Sequence, residues 1–407
     1  MNSLMVQGYA VFTVCNLAYL SKALVLAESL LIHGNEKIKI YIIDRKCNIS
    51  LPSSVAEFIW IEDVGVPNLL ELAFKYDITE FSTSVKPFIT LKLIEKFPKV
   101  IFLDPDTCVY HSLDVILNEL DSHPIVLTPH YLSPHSYDLP DADTAMLRFG
   151  SFNLGFFAVS ISDETLSFLK WWCDKCFKLC YFESQFGLST DQKWVSIAPC
   201  FFHNIHVSTN VGYNMAFWNV HERVLSKSND GLYFVNIKYP LIFFHFSSFD
   251  EKNTKLLSKR WFPERNSERI DWFDISDCYN SSLKRHELVI DKIKYGFDYM
   301  SNGDYISPTL RRAYACVLKE LPIGHDPFDS RGSVGRFITA NNLVQNNNNS
   351  YVSSGYVNID ESKWKFHLVN ILMRLILRML GPNNFANFSR LLVYLSSYRQ
   401  NRELWKL

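Results

Sequence analysis

Asp104 and Asp106 stand one residue apart in "VIFLDPDTCVY" (100–110), directly after an apolar run with the character of a buried strand. Two ionised carboxylates this close repel, so keeping both charged at neutral pH costs free energy unless a cation lies between them and a partner. Pro105 has a fixed φ and no N–H to donate, which makes it a rigid spacer at a strand end. The pair therefore has the chemistry of a hard-cation site: Mg²⁺ or Mn²⁺ takes one or two protein carboxylates and fills its other positions with water and phosphate oxygens. The alternative is an Asp-Pro-Asp turn with solvated side chains, because turns favour the same residue types.

The surrounding pattern says what holds that strand end in place. "YAVFTVC" (9–15) has the pattern of a buried strand, "LSKALVLAESLLIHG" (20–34) that of a helix ended by Gly34, and "IKIYIID" (38–44) that of a second strand. A helix is expected over "TSVKPFITLKLIEKF" (83–97), and "DVILNEL" and "PIVLTPH" continue the alternation to about residue 130. Such alternation predicts an α/β fold with a mostly parallel sheet flanked by helices, in which ligands collect beyond the carboxyl ends of the strands. Residues 131–150, with three aspartates and two prolines, are expected to form a loop. "FNLGFFAVSI" (152–161) returns to strand, 163–180 is helical, and a further helix starts in "LSTDQKWVSIAP" (188–199). Short aromatic strands over 201–246 precede a more helical, Tyr-rich region over 280–340.

With 407 residues, 48% apolar and 15% aromatic, the chain can bury a sizeable core. A formal net charge of −1 argues against general nucleic-acid binding. Residues 361–407 nevertheless carry eight Lys/Arg against two Asp/Glu, a net of +6, which leaves −7 for residues 1–360. Within that tail, 363–380 and 388–407 mix basic residues with a dense apolar face, the composition of helices that lie on anionic membrane surfaces. No stretch of about 18 uninterrupted apolar residues suggests a spanning helix. The nine cysteines are odd in number and scattered, and the start lacks a secretory pattern. Together these features predict a cytoplasmic protein, peripheral at the inner face of the cell membrane through its tail. Cys173, Cys176 and Cys180 share a helical face that reads as packing, and His203 and His206 would point to opposite faces of a strand.

Seven stretches, in order, resemble the nucleotide-sugar glycosyltransferases of the GT-A fold, in particular the bacterial group similar to glycosyltransferase family 8. They are "CNLAYLSKALVLAESL" (15–30), "TEFSTSVKPF" (79–88), "FLDPDTCVY", "FNLGFFAVS" (152–160), "STDQKW" (189–194), "GYNMAFWNVHER" (212–223) and "FFHFS" (243–247). The resemblance implies a GT-A type sheet with a helical C-terminal extension, and a glycosyltransferase domain over 1–255. An accessory region (256–340), a linker (341–360) and the basic tail (361–407) follow.

It also implies a divalent cation, Mn²⁺ or Mg²⁺, held by Asp104, Asp106 and His245, and a neutral imidazole suits Mn²⁺ better. Thr13, Asn16, Asp44, Lys86, Asp104, Asn214 and Trp218 would bind the donor, with Asn219 beside them. Asn153, Asp191 and Gln192 would face the reacting sugar. The implied reaction is retaining transfer from a nucleoside-diphosphate sugar, such as a UDP-sugar, to a carbohydrate or lipid-linked acceptor in bacterial surface polysaccharide synthesis. Two other readings are a sugar nucleotidyltransferase and a glycan-binding module without catalysis. The first would want a glycine-rich phosphate loop after the first strand, and "CNLAYLSK" has no glycine. The family's glycine and lysine after the late histidine are missing from "HFSSFDEKNTK", which leaves Lys252 or Lys255 as substitutes.

Overall fold

The computed structural model describes residues 8–135, 140–260, 270–287, 294–317, 326–343 and 363–396. The chain divides into two compact units, Met1–Leu72 with Ile78–Gly296, and Ala73–Asp77 with Phe297–Leu407. In order, the elements begin β1 (Tyr9–Cys15), α1 (Leu20–Ile32), β2 (Ile38–Ile42), β3 (Ala56–Trp60), α2 (Leu69–Lys75), α3 (Ile78–Ser84), α4 (Lys86–Ile94), β4 (Lys99–Leu103) and β5 (Thr107–Val109). Then come α5 (Asp114–Ser122), β6 (Ile125–Pro129), α6 (Pro140–Phe149), β7 (Phe152–Ser160), α7 (Asp163–Leu179), β8 (Phe182–Glu183), β9 (Leu188–Ser189) and α8 (Gln192–Val195). The remainder is β10 (Ile205–Val207), β11 (Leu225–Lys227), β12 (Tyr233–Val235), β13 (Tyr239–Pro240), β14 (Phe243–His245), α9 (Phe273–Arg285), α10 (Pro308–Val317), α11 (Ser333–Ala340) and α12 (Lys363–Ser396).

The first unit is an α/β structure built on a seven-stranded sheet in the order β10-β6-β7-β4-β1-β2-β3. Consecutive residues of β1 are buried on both faces, as expected of a strand with helices above and below it. β1 pairs in parallel with β2 and β4, β2 with β3, and β6 with β10. β7 runs antiparallel to both β4 and β6. Phe12, Phe102, Phe157 and Trp172 pack through the middle of this core, with ring centroids 5.0–6.3 Å apart. The β1–α1–β2 opening and the strands before and after the aspartates follow the sequence reading.

Two local expectations are corrected, and a third holds with a shorter element. Residues 140–149 of the expected loop are a helix, α6. Proline suits a first helical position, acidic residues near a helix start and Arg148 near its end complement the dipole, and these signals outweigh the breaker count. The helix expected over 83–97 is two, because the chain turns at Val85 between α3 and α4. The helix expected to start within 188–199 does so at Gln192, but as the single turn of α8 preceded by β9, which pairs with β8; Thr190 takes a left-handed conformation, φ 47°, that no helix can continue through.

In the second unit, α12 is interrupted at Gly381, whose φ of 73° separates two helical legs. Most of the expected linker (344–360) and the tail beyond residue 396 lie outside the described residues. Arg311, fully buried on α10, donates to the carbonyl oxygens of Ala73, Phe74, Tyr76 and Phe297 and to Asp298 Oδ1 at 2.6–3.0 Å. One guanidinium thus satisfies the last carbonyls of α2, where positive charge is favoured. Arg311→Met should strand those acceptors and destabilise the unit by about 3–5 kcal/mol, seen as a lower melting transition of the full chain; an unchanged transition would show that the carbonyls find other partners.

Candidate functional site

β4 delivers the aspartate pair and β7 closes on it from the side. The Asp104 N–H donates to Gly155 O at 2.8 Å, continuing the antiparallel β4–β7 pairing one residue past β4. The chain then reverses across Pro105, with the N–H and Oγ1 of Thr107 both donating to Asp104 O at 3.1 and 2.7 Å. β5 pairs antiparallel with β14, which sets Thr107 opposite His245, and the Phe246 N–H donates to Asp106 O at 2.8 Å. Two strands far apart in sequence therefore fix the imidazole beside the carboxylates.

His245 Nε2 lies 3.1 Å from Asp106 Oδ1 and 3.9 Å from Asp104 Oδ2. The other oxygen of Asp104 faces away from the imidazole, 3.3 Å from Lys86 Nζ. Lys86 is itself buried, 3.5 Å from Asp191 Oδ2, and donates to Leu154 O at 3.1 Å. Asp104 is thus shared between an imidazole centre and an ammonium centre. Burial alone would lower the Lys86 pKa, but Asp104 and Asp191 outweigh it and raise it. Burial raises the Asp191 carboxyl, and Lys86 opposes this only in part. For Asp106, burial pulls upward, His245 outweighs it and Lys22 adds to the lowering, leaving the carboxyl at about 2.

The proton on His245 can be assigned from its neighbours. The Gly155 N–H is a donor and points at Asn153 Oδ1, 3.1 Å away, which fixes that amide. Asn214 Nδ2 donates into the same oxygen at 3.0 Å, so Asn214 turns its Oδ1 to His245 Nδ1 at 3.1 Å. A neutral His245 therefore carries its hydrogen on Nδ1 and aims the Nε2 lone pair at two carboxylates. That arrangement is repulsive without a cation, and burial notwithstanding, the two aspartates raise the imidazole pKa. With His245 neutral, three carboxylates and the Lys86 ammonium sum to −2, the charge one divalent ion neutralises. Ligand atoms of Asp104, Asp106 and His245 lie within 4.8 Å of one another. The donor set fits a divalent metal, two hard oxygens with one imidazole nitrogen.

Two non-glycine residues of this region have left-handed backbone: Thr190, next to Asp191, and Asn214, φ 52°. Asparagine tolerates that conformation; threonine is strained in it, a cost that the surrounding structure must cover. Gly155 is the site residue the sequence reading did not single out. A Cβ there would overlap His245 Cε1, lie 2.7 Å from Nδ1 and lie 2.8 Å from Asn153 Oδ1. A glycine inside a strand pattern is the signal for such close approach.

The remaining expected residues are more dispersed. Gln192 spends its amide on backbone, donating to Phe149 O at 3.0 Å and accepting the Leu154 N–H at 3.4 Å. Trp218 sets its ring edge-to-face with His245 at 5.1 Å and His130 at 5.7 Å. Asn219 is fully buried and braces the turn after Asn214 through Ala216 N, Asn214 O and His130 O. Thr13 is fully buried in β1, with no hydrogen-bond partner for Oγ1 among the described residues, and Asn16 is half-buried just after it. Asp44 is buried beyond β2, where its Oδ1 accepts the N–H groups of Arg45 and Gly296. Lys252 and Lys255 are exposed. Cys173, Cys176 and Cys180 are buried, and His206 stacks on His123 at 4.1 Å.

No model of a known protein family matches the chain. The uncharacterized protein YfnD of Bacillus subtilis (strain 168) is 25% identical over 258 residues, 62% of this chain and 79% of that one. Among solved structures, the chain is similar to the galactosyltransferase LgtC in complex with donor and acceptor sugar analogues, with a TM-score of 0.39, 15% identity, and coverage of 69% of this chain and 97% of that one. It is similar also to the bifunctional glycosyltransferase WbbM, with a TM-score of 0.38, 12% identity, and coverage of 70% of this chain and 53% of that one. For the glycosyltransferase GlyE of Streptococcus pneumoniae TIGR4 the values are 0.37 and 16%, with 68% and 63% covered. The chain thus spans about half the length of WbbM.

The close approach at Gly155 generates a prediction. Gly155→Ala should push the imidazole off its position and weaken Mn²⁺ binding by about tenfold or more, as losses in the shell around a metal typically do. Mn²⁺ titration followed by electron paramagnetic resonance checks this, and wild-type affinity in the variant would exclude His245 as a ligand in this geometry.

Proposed function

We propose that the chain is a metal-dependent, retaining glycosyltransferase that moves a sugar from a nucleoside-diphosphate donor, such as a UDP-sugar, to a carbohydrate or lipid-linked acceptor in bacterial surface polysaccharide synthesis. The observation that carries the reading is the His245 lone pair aimed at Asp104 and Asp106, one carboxylate away from the buried Lys86–Asp191 pair. The ordered motifs support the same assignment. A bound divalent ion, Mn²⁺ or Mg²⁺, would supply Lewis-acid stabilisation of the leaving diphosphate.

The chain's own residues account for the rest. Lys86 holds Asp104 and Asp191 at a fixed spacing from one another. Asp191, little exposed to water, sets negative charge where positive charge grows at the anomeric carbon, and the low local dielectric strengthens that interaction. Inversion would need a free base on the acceptor side. Glu222 instead accepts the N–H groups of Leu132 and Ser133 and pairs with Arg223, and Asp143 accepts the Tyr131 hydroxyl at 2.7 Å. Asp138 and the side chain of Asp141, the other two carboxylates that could serve as such a base, lie outside what is described. The engagement of Asp143 and Glu222 supports retention.

The test is transfer and donor hydrolysis across a panel of nucleotide sugars, with and without Mn²⁺. Asp106→Ala should cut turnover by about 10³-fold, roughly 4 kcal/mol of transition-state stabilisation, with the fold retained. An α-donor should give an α-product by the anomeric proton coupling. Near-normal metal-dependent turnover in the variant would sink the metal assignment, and a β-product would sink retention.

The tail gives this reading a place to act. Described residues 363–396 include five Lys/Arg and no Asp/Glu, and Leu368, Val369, Ile371, Leu372, Leu375 and Met379 are exposed. Asn370, Arg374 and Arg378 follow at four-residue spacing, so they share one face. No described helix is long and apolar enough to cross a membrane. A basic helix with so much exposed apolar surface suits an anionic bilayer surface, where lipid-linked acceptors reside. Deleting residues 361–407 should abolish co-sedimentation with anionic vesicles; unchanged binding would remove the membrane from the reading.

A further inference from the structure

We propose that His130 is a positioning residue for His245, acting through a one-way chain of hydrogen bonds over Asn153 and Asn214. The proposal deepens the metal-site reading and rests on it for the role of His245. His130 follows β6, and its backbone N–H donates to Ser151 O at 3.1 Å. Its ring Nδ1 lies 3.2 Å from the same carbonyl oxygen. A carbonyl only accepts, so Nδ1 carries the hydrogen. Burial holds the imidazole pKa down at about 4, so the ring is neutral in ordinary conditions and Nε2 is an acceptor. That acceptor faces Asn153 Nδ2 at 3.4 Å.

The chain then has a single sense. Asn153 donates to His130, Asn214 donates to Asn153, and His245 donates to Asn214, every donor pointing toward Ser151. The Gly155 N–H fixes the oxygen end of the Asn153 amide, and His130 supplies an acceptor for its half-buried nitrogen end. Without His130 the Asn153 NH₂ loses its partner, the amide is no longer held at both ends, and the orientation of Asn214 loosens with it. Trp218 touches both histidines edge-on, and Asn219 donates to the backbone of both His130 and Asn214, so the ends of the chain also share one support. The consequence falls on His245: its Nε2 lone pair faces Asp106 only while Nδ1 keeps its hydrogen on Asn214.

Two substitutions in the full-length protein test this. His130→Phe keeps an aromatic edge and removes both ring nitrogens; His130→Gln can still donate to Ser151 O and accept from Asn153. Mn²⁺ affinity by electron paramagnetic resonance should fall by about tenfold or more in His130→Phe and stay within about threefold of wild type in His130→Gln. Nitrogen NMR of the metal-free, histidine-labelled protein at alkaline pH should show His245 as the single Nδ1–H tautomer in wild type and His130→Gln, and as a mixture in His130→Phe. Should His130→Phe fail to fold, His130→Ala makes the same deletion without added volume. Wild-type affinity together with an unchanged tautomer in the deletion variant overturns the proposal. If the wild type itself binds no Mn²⁺, the metal-site reading fails, and the tautomer comparison still decides whether His130 positions His245.

Discussion

Negative charge crowded at the end of β4 is the constraint around which the first unit is arranged. Asp104 and Asp106 are held on one tight turn, because Pro105 and the two donations from Thr107 fix the backbone between them. Asp191 adds a third carboxylate within reach of Lys86. Burying such a cluster is costly unless positive charge meets it in good geometry, and the chain provides one buried ammonium and one imidazole. The position of each neighbouring element can be understood as a response to that imbalance. α4 begins with Lys86, β14 ends with His245, and the short turn before α8 holds Asp191 under Thr190.

The direction of β7 makes this possible. In a purely parallel sheet the start of β7 would lie at the opposite edge from the end of β4. Running antiparallel, β7 brings Asn153 and Gly155 to the carboxyl end of β4, where their backbone and amide groups order the hydrogen bonds to His245. The space there is small enough that only glycine fits at 155. A strand reversal, a missing side chain and an amide orientation thus act together on the direction of one lone pair.

Local physics explains why some elements were legible in sequence. β1, α1, β2, β4 and α7 carry strong apolar periodicity or end signals, and each forms where the pattern places it. α6 and the break at Val85 did not show in the pattern. In α6 the prolines and aspartates that signal a loop also suit a helix start, and which meaning prevails depends on what the segment packs against. Gln192 and Asn219 illustrate the same limit: an amide beside a site can face a ligand or satisfy buried backbone, and here both satisfy backbone.

The amino-acid sequence by itself determined the βαβ opening and the strand that carries Asp104 and Asp106, because residue type, spacing and apolar period are local properties of the chain; Lys86, Asn153, Asp191, Asn214 and His245 entered only through the resemblance of its ordered motifs to a known family. Only the tertiary structure decided that His245 lies opposite Thr107, that Asp104 divides its two oxygens between imidazole and ammonium, and that His130 and Gly155 belong with them. These relations are set by strand pairing and by distances of about 3 Å between residues remote in sequence, and hydrogen bonds and ion pairs depend on that separation and angle, which no one-dimensional spacing encodes.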